Sequence, residues 1–453
     1  MKKVSLMVLS VCFVLSILFV GCSKKEANSS NNSDSQTNNT GRNHDGDASE
    51  KDPVTIKFMA SEAISDFEEY WVPIIEEALP HITIEYIDGG SIHPNSIEEM
   101  IAKDSLPDIF FASSADDSKT LKAYELGYDL SDFIKKSKDL DLSRFDPEHL
   151  QGWTTWSDDE IWLLPFMKDI FALHYNKEIF DLFGISYPID DMTWDEVIDL
   201  AEDVTGEIDG VKYRGLHMAD MSYDMLSQVA GDLQFVDPDT QDILWTENAY
   251  VVDVLEKNET AHTIPGNEFP EVPEETSAYG PFLDGTLAML PRFFVKPTEE
   301  DGIDWDIVTF PQWEENLGTG PPADGWGLGI SATSEHKEAA FEVLELLYSD
   351  EYIMDLAETP LNAPYPDLHE SGESIDHLNE DDHGHFIDKN LEALSELDPA
   401  EAPKIRSKYD SGVADVMSSM IYDYLDSGQD TNTFLREIRE QEETRVLEEL
   451  EKE

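Results

Sequence analysis

The sequence predicts an α/β fold arranged as two lobes, and the first hundred residues of the folded body carry most of this prediction. Residues 54–58 alternate apolar and polar side chains as in a strand, residues 64–78 follow helical spacing, and residues 82–86 alternate again. A helix over 96–103 and a strand over 107–111 follow. Strand–helix–strand repetition predicts a parallel sheet, which binds ligands beyond the carboxyl ends of its strands. The 453 residues suffice for two such lobes.

Several later elements have recognisable ends. Thr193 and Glu196 fit a capping box, which predicts that a helix begins between them. Asp-Gly at residues 209–210 predicts a tight turn, and a second helix is expected to begin near Ser334. The remaining chain is predicted to be mostly helical, and its acidic last twenty residues are expected to fray.

The N-terminus predicts a bacterial lipoprotein signal. An apolar run over residues 4–20 follows two lysines and ends in Gly21 and Cys22. The sequence Leu-Phe-Val-Gly-Cys resembles the lipobox, in which cleavage before the cysteine leaves it lipidated, although Phe19 stands where leucine is usual. We therefore expect a signal peptide over residues 1–21 and a lipid at Cys22. An uncleaved membrane anchor and simple secretion are the alternatives.

Residues 22–52 are predicted to form the lipidated cysteine and a disordered tether. This stretch is rich in Ser, Asn and Asp, and after Cys22 it contains no apolar side chain larger than alanine, so it cannot form a core. A random coil of this length reaches roughly 30 Å. The folded body would therefore hang close to the extracellular face of the cell membrane.

The chain is strongly acidic, with 30 Lys and Arg against 98 Asp and Glu and a formal net charge of −68. This charge repels phosphates and anionic headgroups, which excludes nucleic acid and lipid surfaces as partners held by electrostatic attraction. Two interpretations of the acidity remain: a preference for cationic ligands, or a solvated acidic surface suited to salty surroundings. Of the two cysteines, Cys12 lies in the predicted signal peptide and Cys22 follows the predicted cleavage site. Cys22 would be the single cysteine left after cleavage, so the mature body has no disulfide and no catalytic thiol.

Five motifs in order carry a family resemblance. They are the "LPDIFFASS" of residues 106–114, the "LPFMKDIFALHYNK" to "TWDE" run of 164–205, "DGTLAMLPRFF" at 284–294, "DIVTFP" at 306–311, and the glycine-rich strand, serine cap and helix of 325–352. Together they resemble the family 1 extracellular solute-binding proteins, the maltose-binding-protein-like receptors of ABC importers. The resemblance extends from the first predicted strand to the C-terminus, with a looser match in the tail.

The resemblance implies a periplasmic-binding-protein-like fold, in which two lobes close about a hinge. Lobe one is expected over residues 53–167 and 312–355, and lobe two over residues 168–311 and 356–453. It also implies a monomer without cofactor or metal that captures a small solute, most readily a sugar or oligosaccharide, and delivers it to an ABC permease. No reaction is implied.

Two other functions stay open. A cationic solute such as a polyamine is the alternative ligand, and a surface glycosidase is the alternative class of protein. The chain contains no Gly-x-Ser-x-Gly, His-Glu-x-x-His or P-loop motif. A glycosidase needs only two carboxylates, and among 98 acidic residues the presence of a pair is uninformative.

Sugar sites need aromatic platforms bordered by carboxylates, amides and hydroxyls. Trp326 stands out, because its flanking glycines indicate a close backbone approach. Trp153, Trp156 and Trp162 could also reach the cleft, with burial as the alternative. Core packing is the alternative for each aromatic, and a surface ion pair for each charged residue. By resemblance to the family's ligand loops, the candidate ligand-binding residues are Ser61, Glu62, Ser113, Ser114, Asp116, Lys168, Asp169, Asp220, Tyr223, Arg292, Phe293, Phe294, Asp324, Gly325 and Trp326.

A histidine-rich segment is the candidate metal site. Its members lack an evident tetrahedral spacing, so an exposed polar loop is the competing interpretation, and we expect no metal. Residues 237–240 superficially resemble a calcium loop but lack its glycine and distal glutamate, which predicts a turn. The histidine-rich segment comprises His369, His377, His383 and His385 with Asp381 and Asp382.

Overall fold

Two mixed β-sheets organise the body of the protein. The computed structural model describes residues 51–450 apart from gaps at 61–66, 89–91, 93, 116, 155, 158–159, 230–233, 270–277, 296, 298–301, 323, 357–361, 371–373, 375, 378–387, 401–406, 408 and 411–412. The strands are β1 Val54–Ala60, β2 Ile82–Asp88, β3 Ile109–Ala112, β4 Leu163–Lys168, β5 Phe171–Asn176, β6 Gly206–Ile208, β7 Val211–Leu216, β8 Leu287–Phe293, β9 Trp305–Thr309, β10 Thr319–Gly320, β11 Gly325–Ile330 and β12 Asp398–Pro399.

Helices lie between these strands and at the C-terminus. They are α1 Val72–Ala78, α2 Pro94–Lys103, α3 Asp117–Ala123, α4 Ser131–Ile134, α5 Pro147–Thr154, α6 Lys177–Phe183, α7 Trp194–Asp203, α8 Ser222–Ser227, α9 Ala249–His262, α10 Tyr279–Leu283, α11 Lys337–Leu347, α12 Asp350–Leu356, α13 Pro366–Glu370, α14 Val413–Ser427 and α15 Thr431–Leu450. Within the described parts of the chain, no helix is long and apolar enough to cross a bilayer.

The first sheet has the strand order β2-β1-β3-β11-β4. The strands β1, β2 and β3 are parallel, as their alternation with helices predicts. The expectation of a parallel sheet is wrong for the other half, because β11 is antiparallel to both β3 and β4. This strand returns from the other sheet and enters from the opposite direction, which a local pattern cannot reveal.

The second sheet has the order β6-β7-β8-β5-β9, in which β7 and β8 are parallel and the other neighbours antiparallel. Asp209 and Gly210 join β6 to β7 with φ values of 53° and 84°. Two consecutive positive φ values are typical of a type I′ hairpin turn. The predicted tight turn is confirmed.

The chain passes three times between the sheets. The first passage leaves β4 at Lys168 and enters β5 at Phe171, inside the extended run expected to form the hinge. The second leads from the end of β9 at Thr309 to the start of β11 at Gly325. The third follows α12 and ends at α14. The first passage is a short extended segment, of the kind that allows two lobes to rotate against each other.

Each sheet has its own apolar core. Phe58, Phe166 and Leu344 are buried beside the first sheet, and Trp194 and Val254 beside the second. Two segments pack on the side opposite to the one that the expected lobe ranges give them. Trp313 joins the core of the second sheet, whereas Ala363, Tyr365 and Leu368 join that of the first. The lobe ranges themselves stay a prediction.

Local capping signals explain where two of the helices begin. The capping box at α7 is confirmed: the Glu196 amide donates to Thr193 Oγ1 (3.3 Å), and Glu196 Oε2 accepts from the Thr193 amide (2.9 Å). Helix α11 begins at Lys337 rather than at Ser334. The residue before the helix is His336, and Ser334 does not cap it: the Ser334 oxygen accepts from the His336 amide (3.0 Å), outside the helix, and its hydroxyl donates to Asp108 Oδ1 (2.5 Å).

The C-terminal segment is a continuous helix, so the expectation that it frays is wrong. Phe434, Ile438 and Val446 of α15 are each at most 5% exposed and pack into the core of the second sheet. A spacing of four places them on one face of the helix. The acidic composition of the other faces conceals this stripe. Residues 1–50, with the predicted signal and most of the predicted tether, lie outside the described residues.

Candidate functional site

Two polar groups follow β3 at its carboxyl end. The amide of Ser113 donates to Asp117 Oδ2 (2.8 Å), and the carboxyl of Asp117 is buried at the start of α3. The hydroxyl of Ser114 donates to Asp324 Oδ2 (3.1 Å), and the amide of Ala115 reaches the other oxygen of the same carboxylate (3.4 Å). The end of β3 therefore lies beside the start of β11.

The first passage of the hinge joins the same place. The amide of Asp169 donates to the main-chain oxygen of Asp324 (3.0 Å), and Gly325 is paired with Lys168. Three of the predicted residues, Ser114, Asp169 and Asp324, thus meet at one edge of the first sheet. They are far apart in sequence, and the order of strands β3, β11 and β4 brings them together.

Trp326 lies next to this group on β11. It is partly buried and packs edge-to-face on Phe111, with ring centroids 5.0 Å apart. The flanking glycines allow a close approach of other parts of this chain to β11. A Cβ on Gly325 would lie 2.2 Å from the Met167 oxygen, and one on Gly327 would lie 2.3 Å from the Trp153 ring. Those glycines therefore serve packing of the sheet.

The other tryptophans ahead of the hinge are placed differently. Trp153 is 1% exposed, and its indole Nε1 donates to His149 Nε2 (3.1 Å). Trp156 is partly buried, with the Lys119 ammonium 4.3 Å from its ring centroid. Trp162 is partly buried and donates from Nε1 to Glu160 Oε2 (2.8 Å). Trp153 belongs to the core that supports β11.

Beyond β7, Asp220 lies in a hydrogen-bonded group of the second sheet. Its Oδ1 accepts from the Tyr422 hydroxyl (2.6 Å), and its Oδ2 lies 3.5 Å from His217 Nε2. Burial acts to raise the pKa of Asp220, but the hydrogen bond and charge of His217, with Tyr422 and Arg292, outweigh it and hold that pKa below its usual value. Reasoning from the sequence missed His217 and Tyr422, since nothing in either local pattern distinguishes them from core residues.

Carboxyl groups of the two sheets lie within electrostatic range of each other. Burial raises the pKa of Asp224, on α8, to about 7, and the negative charge of Asp324 adds to this. Tyr223 is the neighbour of Asp224 and stacks on Phe235 (6.1 Å between centroids). Asp224, another residue that the sequence did not single out, thus lies within electrostatic range of Asp324.

The residues at the end of β8 and just after it differ in burial. The Arg292 guanidinium lies 4.3 Å from the centroid of the Phe293 ring and 5.4 Å from that of Tyr279. Phe294 is 1% exposed and stacks on His174 at 5.8 Å, in the core beneath β8. Arg292 and Phe293 are partly exposed and remain candidates for ligand contact, whereas Phe294 is occupied by packing.

Other predicted positions lie outside the described residues or in turns. Ser61, Glu62, Asp116, His383 and His385 with Asp381 and Asp382 are not described. His369 is held by the Ala363 oxygen (2.9 Å) and by Ser374 Oγ (3.0 Å). Within the described ranges, no group of three or more His, Cys, Asp or Glu side chains is placed to hold a metal ion.

The predicted turn at 237–240 is confirmed, since the Asp237 carboxylate accepts from two amides of that segment.

The buried carboxyl of Asp117 gives a prediction about pH. Burial raises its pKa to about 7, although hydrogen bonds from Ser113 act to lower it, whereas an ordinary aspartate has a pKa near 3.8. The folded state therefore holds a proton that the unfolded state loses between about pH 4 and 7. Its contribution to stability is complete below about pH 4, falls as the pH rises to about 7, and changes little above.

We expect Asp117→Asn to remove this contribution, because its amide oxygen can accept the bond from Ser113 but cannot ionise. The fall in unfolding free energy between pH 4 and 7 should become smaller by about 3 kcal/mol, measured by urea unfolding. Asp139→Asn, at an exposed carboxylate, is the control and should leave the slope unchanged. Equal slopes for all three proteins would contradict the assignment.

Most of the sequence matches the model of one family. The model of the family described as bacterial extracellular solute-binding protein matches residues 63–354, and it confirms the resemblance seen in the motifs. No curated protein sequence matches this chain.

Solved structures share the fold. An ABC substrate-binding protein from Listeria monocytogenes in complex with cycloalternan has a TM-score of 0.68 at 18% identity, over 87% of this chain and 99% of that chain. The maltose/maltodextrin-binding domain of Bdellovibrio bacteriovorus bound to maltotriose has a TM-score of 0.63 at 16% identity, over 87% and 100%. UgpB from Mycobacterium tuberculosis in complex with glycerophosphocholine has a TM-score of 0.66 at 14% identity, over 88% and 99%. The predicted two-lobed α/β fold is confirmed.

Proposed function

Because the chain belongs to the family of bacterial extracellular solute-binding proteins, we propose that it captures a sugar or oligosaccharide between its two lobes for an ABC importer. The observation that carries this proposal is the convergence at the start of β11. There the Asp324 carboxylate meets Ser114, lies within electrostatic range of Asp224 from the second sheet, and adjoins the Trp326 ring. Carboxylates and hydroxyls beside an aromatic ring match the hydroxyls and apolar faces of a sugar.

The proposed site draws on both sheets. From the first it takes Trp326 as the platform, with polar groups from the ends of β3 and β4. From the second it takes the segment after β7 and the segment after β8. Closure of the lobes would bury the solute, and the closed form would dock on the permease as a monomer, with no bond made or broken. The residues proposed to contact the solute are Ser113, Ser114, Asp169, Asp220, Tyr223, Asp224, Arg292, Phe293, Asp324 and Trp326.

A cationic solute is the second candidate, and one observation favours it. Asp224 and Asp324 lie within electrostatic range of each other, and burial together with this charge raises the pKa of Asp224. A bound cation would favour the ionised form of both carboxyls and so lower that pKa. The glycerophosphocholine complex of UgpB has the same fold and a ligand with a cationic group.

A thermal-shift screen separates these candidates, because a ligand that binds only the folded state raises the melting temperature. The panel contains maltotriose, cycloalternan, mannitol, spermidine and glycerophosphocholine. We expect a rise with at least one of the three carbohydrates and with neither spermidine nor glycerophosphocholine, and Asp324→Asn should reduce that rise. A rise with spermidine alone would replace the sugar by a cationic solute. Release of reducing ends from a polysaccharide would instead identify a glycosidase.

We also propose that Cys22 is lipidated and anchors the receptor to the extracellular face of the cell membrane. The signal-like residues 1–21 and the polar tether behind Cys22 support this proposal. Metabolic labelling with palmitate should label the wild-type protein and not Cys22→Ser. An unlabelled wild-type protein recovered from the medium would show that it is secreted without an anchor.

A further inference from the structure

A cavity of about 360 Å³ lies at the hinge and shares only Asp169 with the residues proposed to contact the solute. Its walls come from all three passages of the chain between the sheets. The first contributes Phe171, the second Phe310 and Pro321, and the third Pro364 and Leu397. Of the residues predicted to bind solute, only Lys168 and Asp169 line it. Ser114, Asp324 and Trp326 are not among its lining residues, so the cavity does not include the group at the start of β11.

The side chain of Lys168 supplies a cationic group to this cavity. Among the described residues, no carboxylate oxygen lies within 4.0 Å of its Nζ and no hydrogen bond holds it. Burial lowers the pKa of Lys168, and the charge of Asp146 opposes that effect. Asp146 lies farther away than an ion pair, and its Oδ1 accepts from the His149 amide (2.9 Å). The ammonium is therefore partly desolvated without a close counter-ion in this part of the chain.

The two histidines of the cavity are already engaged by the protein. Burial, together with the charge of Lys168, lowers the pKa of His149 and of His369 to about 4, so both are neutral at pH 7. The Nε2 atom of His149 accepts from the indole of Trp153, and both ring nitrogens of His369 have partners. Asp169 and the exposed Asp398 complete the charged lining, and neither contributes to the pKa shift of Lys168.

The rest of the wall is largely apolar. Phe171 and Phe310 pack edge-to-face with centroids 5.5 Å apart, and prolines and leucines surround them. We propose that this hinge cavity is a second binding site, for a small organic monocarboxylate with an apolar body, and that Lys168 binds the carboxylate. A carboxylate on a partly desolvated ammonium forms a charge-assisted hydrogen bond, and the apolar body gains from leaving water. The volume lies at the small end of ligand pockets, which limits the ligand to about the size of benzoate.

Because the cavity lies at the hinge, a ligand bound there should change the affinity of the receptor for its solute. Because the walls of the cavity come from all three passages between the sheets, a rotation of the lobes would move them relative to one another. The monocarboxylate should then bind one lobe arrangement better than the other. Binding free energies are reciprocal, so the monocarboxylate would then change solute affinity by the same factor as the solute changes monocarboxylate affinity. This consequence rests on the proposed solute-binding function, whereas the site itself does not.

Calorimetry of the purified protein with benzoate tests the site, and benzamide, which has the same ring without the charge, is the matched probe. We expect benzoate to bind and benzamide to bind at least about tenfold more weakly. Lys168→Met keeps the apolar stem and should weaken benzoate binding about tenfold, whereas Lys168→Arg keeps the charge and should retain binding. Urea unfolding of both variants shows whether they fold.

Trp326→Ala locates the bound benzoate. It lies in the proposed solute site and should leave benzoate binding unchanged while reducing sugar binding. No benzoate binding by the wild-type protein, or equal binding by wild type and a folded Lys168→Met, would overturn the second site. Loss of benzoate binding in Trp326→Ala would overturn it as well, by placing benzoate in the solute cleft. If the protein binds benzoate through Lys168 but binds no sugar, the second site is supported and only the proposed function is refuted.

Discussion

Replacing Trp326 by alanine is expected to weaken binding of the sugar found in the screen about thirtyfold, or about 2 kcal/mol. The ring lies on β11 next to the Asp324 carboxylate and is only partly buried by Phe111. A sugar face stacked on it would lose both apolar contact and a rigid boundary for its hydroxyl contacts. Titration calorimetry of wild type and variant measures the ratio of dissociation constants.

Two further variants test whether the loss of affinity is due to the ring of Trp326. Trp326→Phe keeps a smaller ring and should lose only part of the affinity. Tyr187→Ala removes an exposed aromatic packed on Tyr175, near the end of β5 that is remote from the hinge, and should leave the affinity unchanged. Unchanged affinity in a folded Trp326→Ala protein would remove Trp326 from the site.

Replacing Gly325 by alanine is expected to lower the free energy of unfolding by about 3 kcal/mol or more. Its φ of 136° is a conformation that L residues rarely adopt, and the added Cβ would lie 2.2 Å from the Met167 oxygen. That oxygen belongs to the neighbouring strand β4, so the two strands must separate to accept the methyl group. Urea unfolding followed by tryptophan fluorescence measures the loss.

The helix α5 offers a matched control. A Cβ on Gly152 would have no heavy atom within 4 Å, so Gly152→Ala should raise stability by up to about 1 kcal/mol through helix propensity. Similar unfolding curves for Gly325→Ala and wild type would show that β11 can move away from β4 at little cost. The pairing of these strands would then contribute little to the lobe.

Local patterns were sufficient for the individual elements. Alternation over residues 54–58 and 82–86 predicted β1 and β2, and the side chains of Thr193 and Glu196 predicted the start of α7. These signals act over two to four residues, so no distant contact is needed to interpret them. Helix α11 was expected to begin near Ser334 and begins three residues later, and the contact of Ser334 with Asp108, 226 residues away, could not be predicted locally.

The sequence predicted only some of the residues of the candidate site. The ends of β3 and β11 were recognised as ligand loops by their resemblance to a family, and the contact between Ser114 and Asp324 joins them. Asp117 and Asp224 were not singled out, because among 98 acidic residues only burial distinguishes them. The order of the motifs therefore identified the family, and the local periodicity identified most strands and helices.

The tertiary structure alone decided the direction of β11, the glycine packing around Trp326, and the hinge cavity with Lys168 in its wall. Each of these depends on groups that are separated by many residues and meet only when the chain passes between the sheets. Strand pairing and burial are long-range interactions, and they determine which of many similar polar side chains lose their water. The composition of the chain and the spacing of its residues therefore do not reveal which polar side chains become buried.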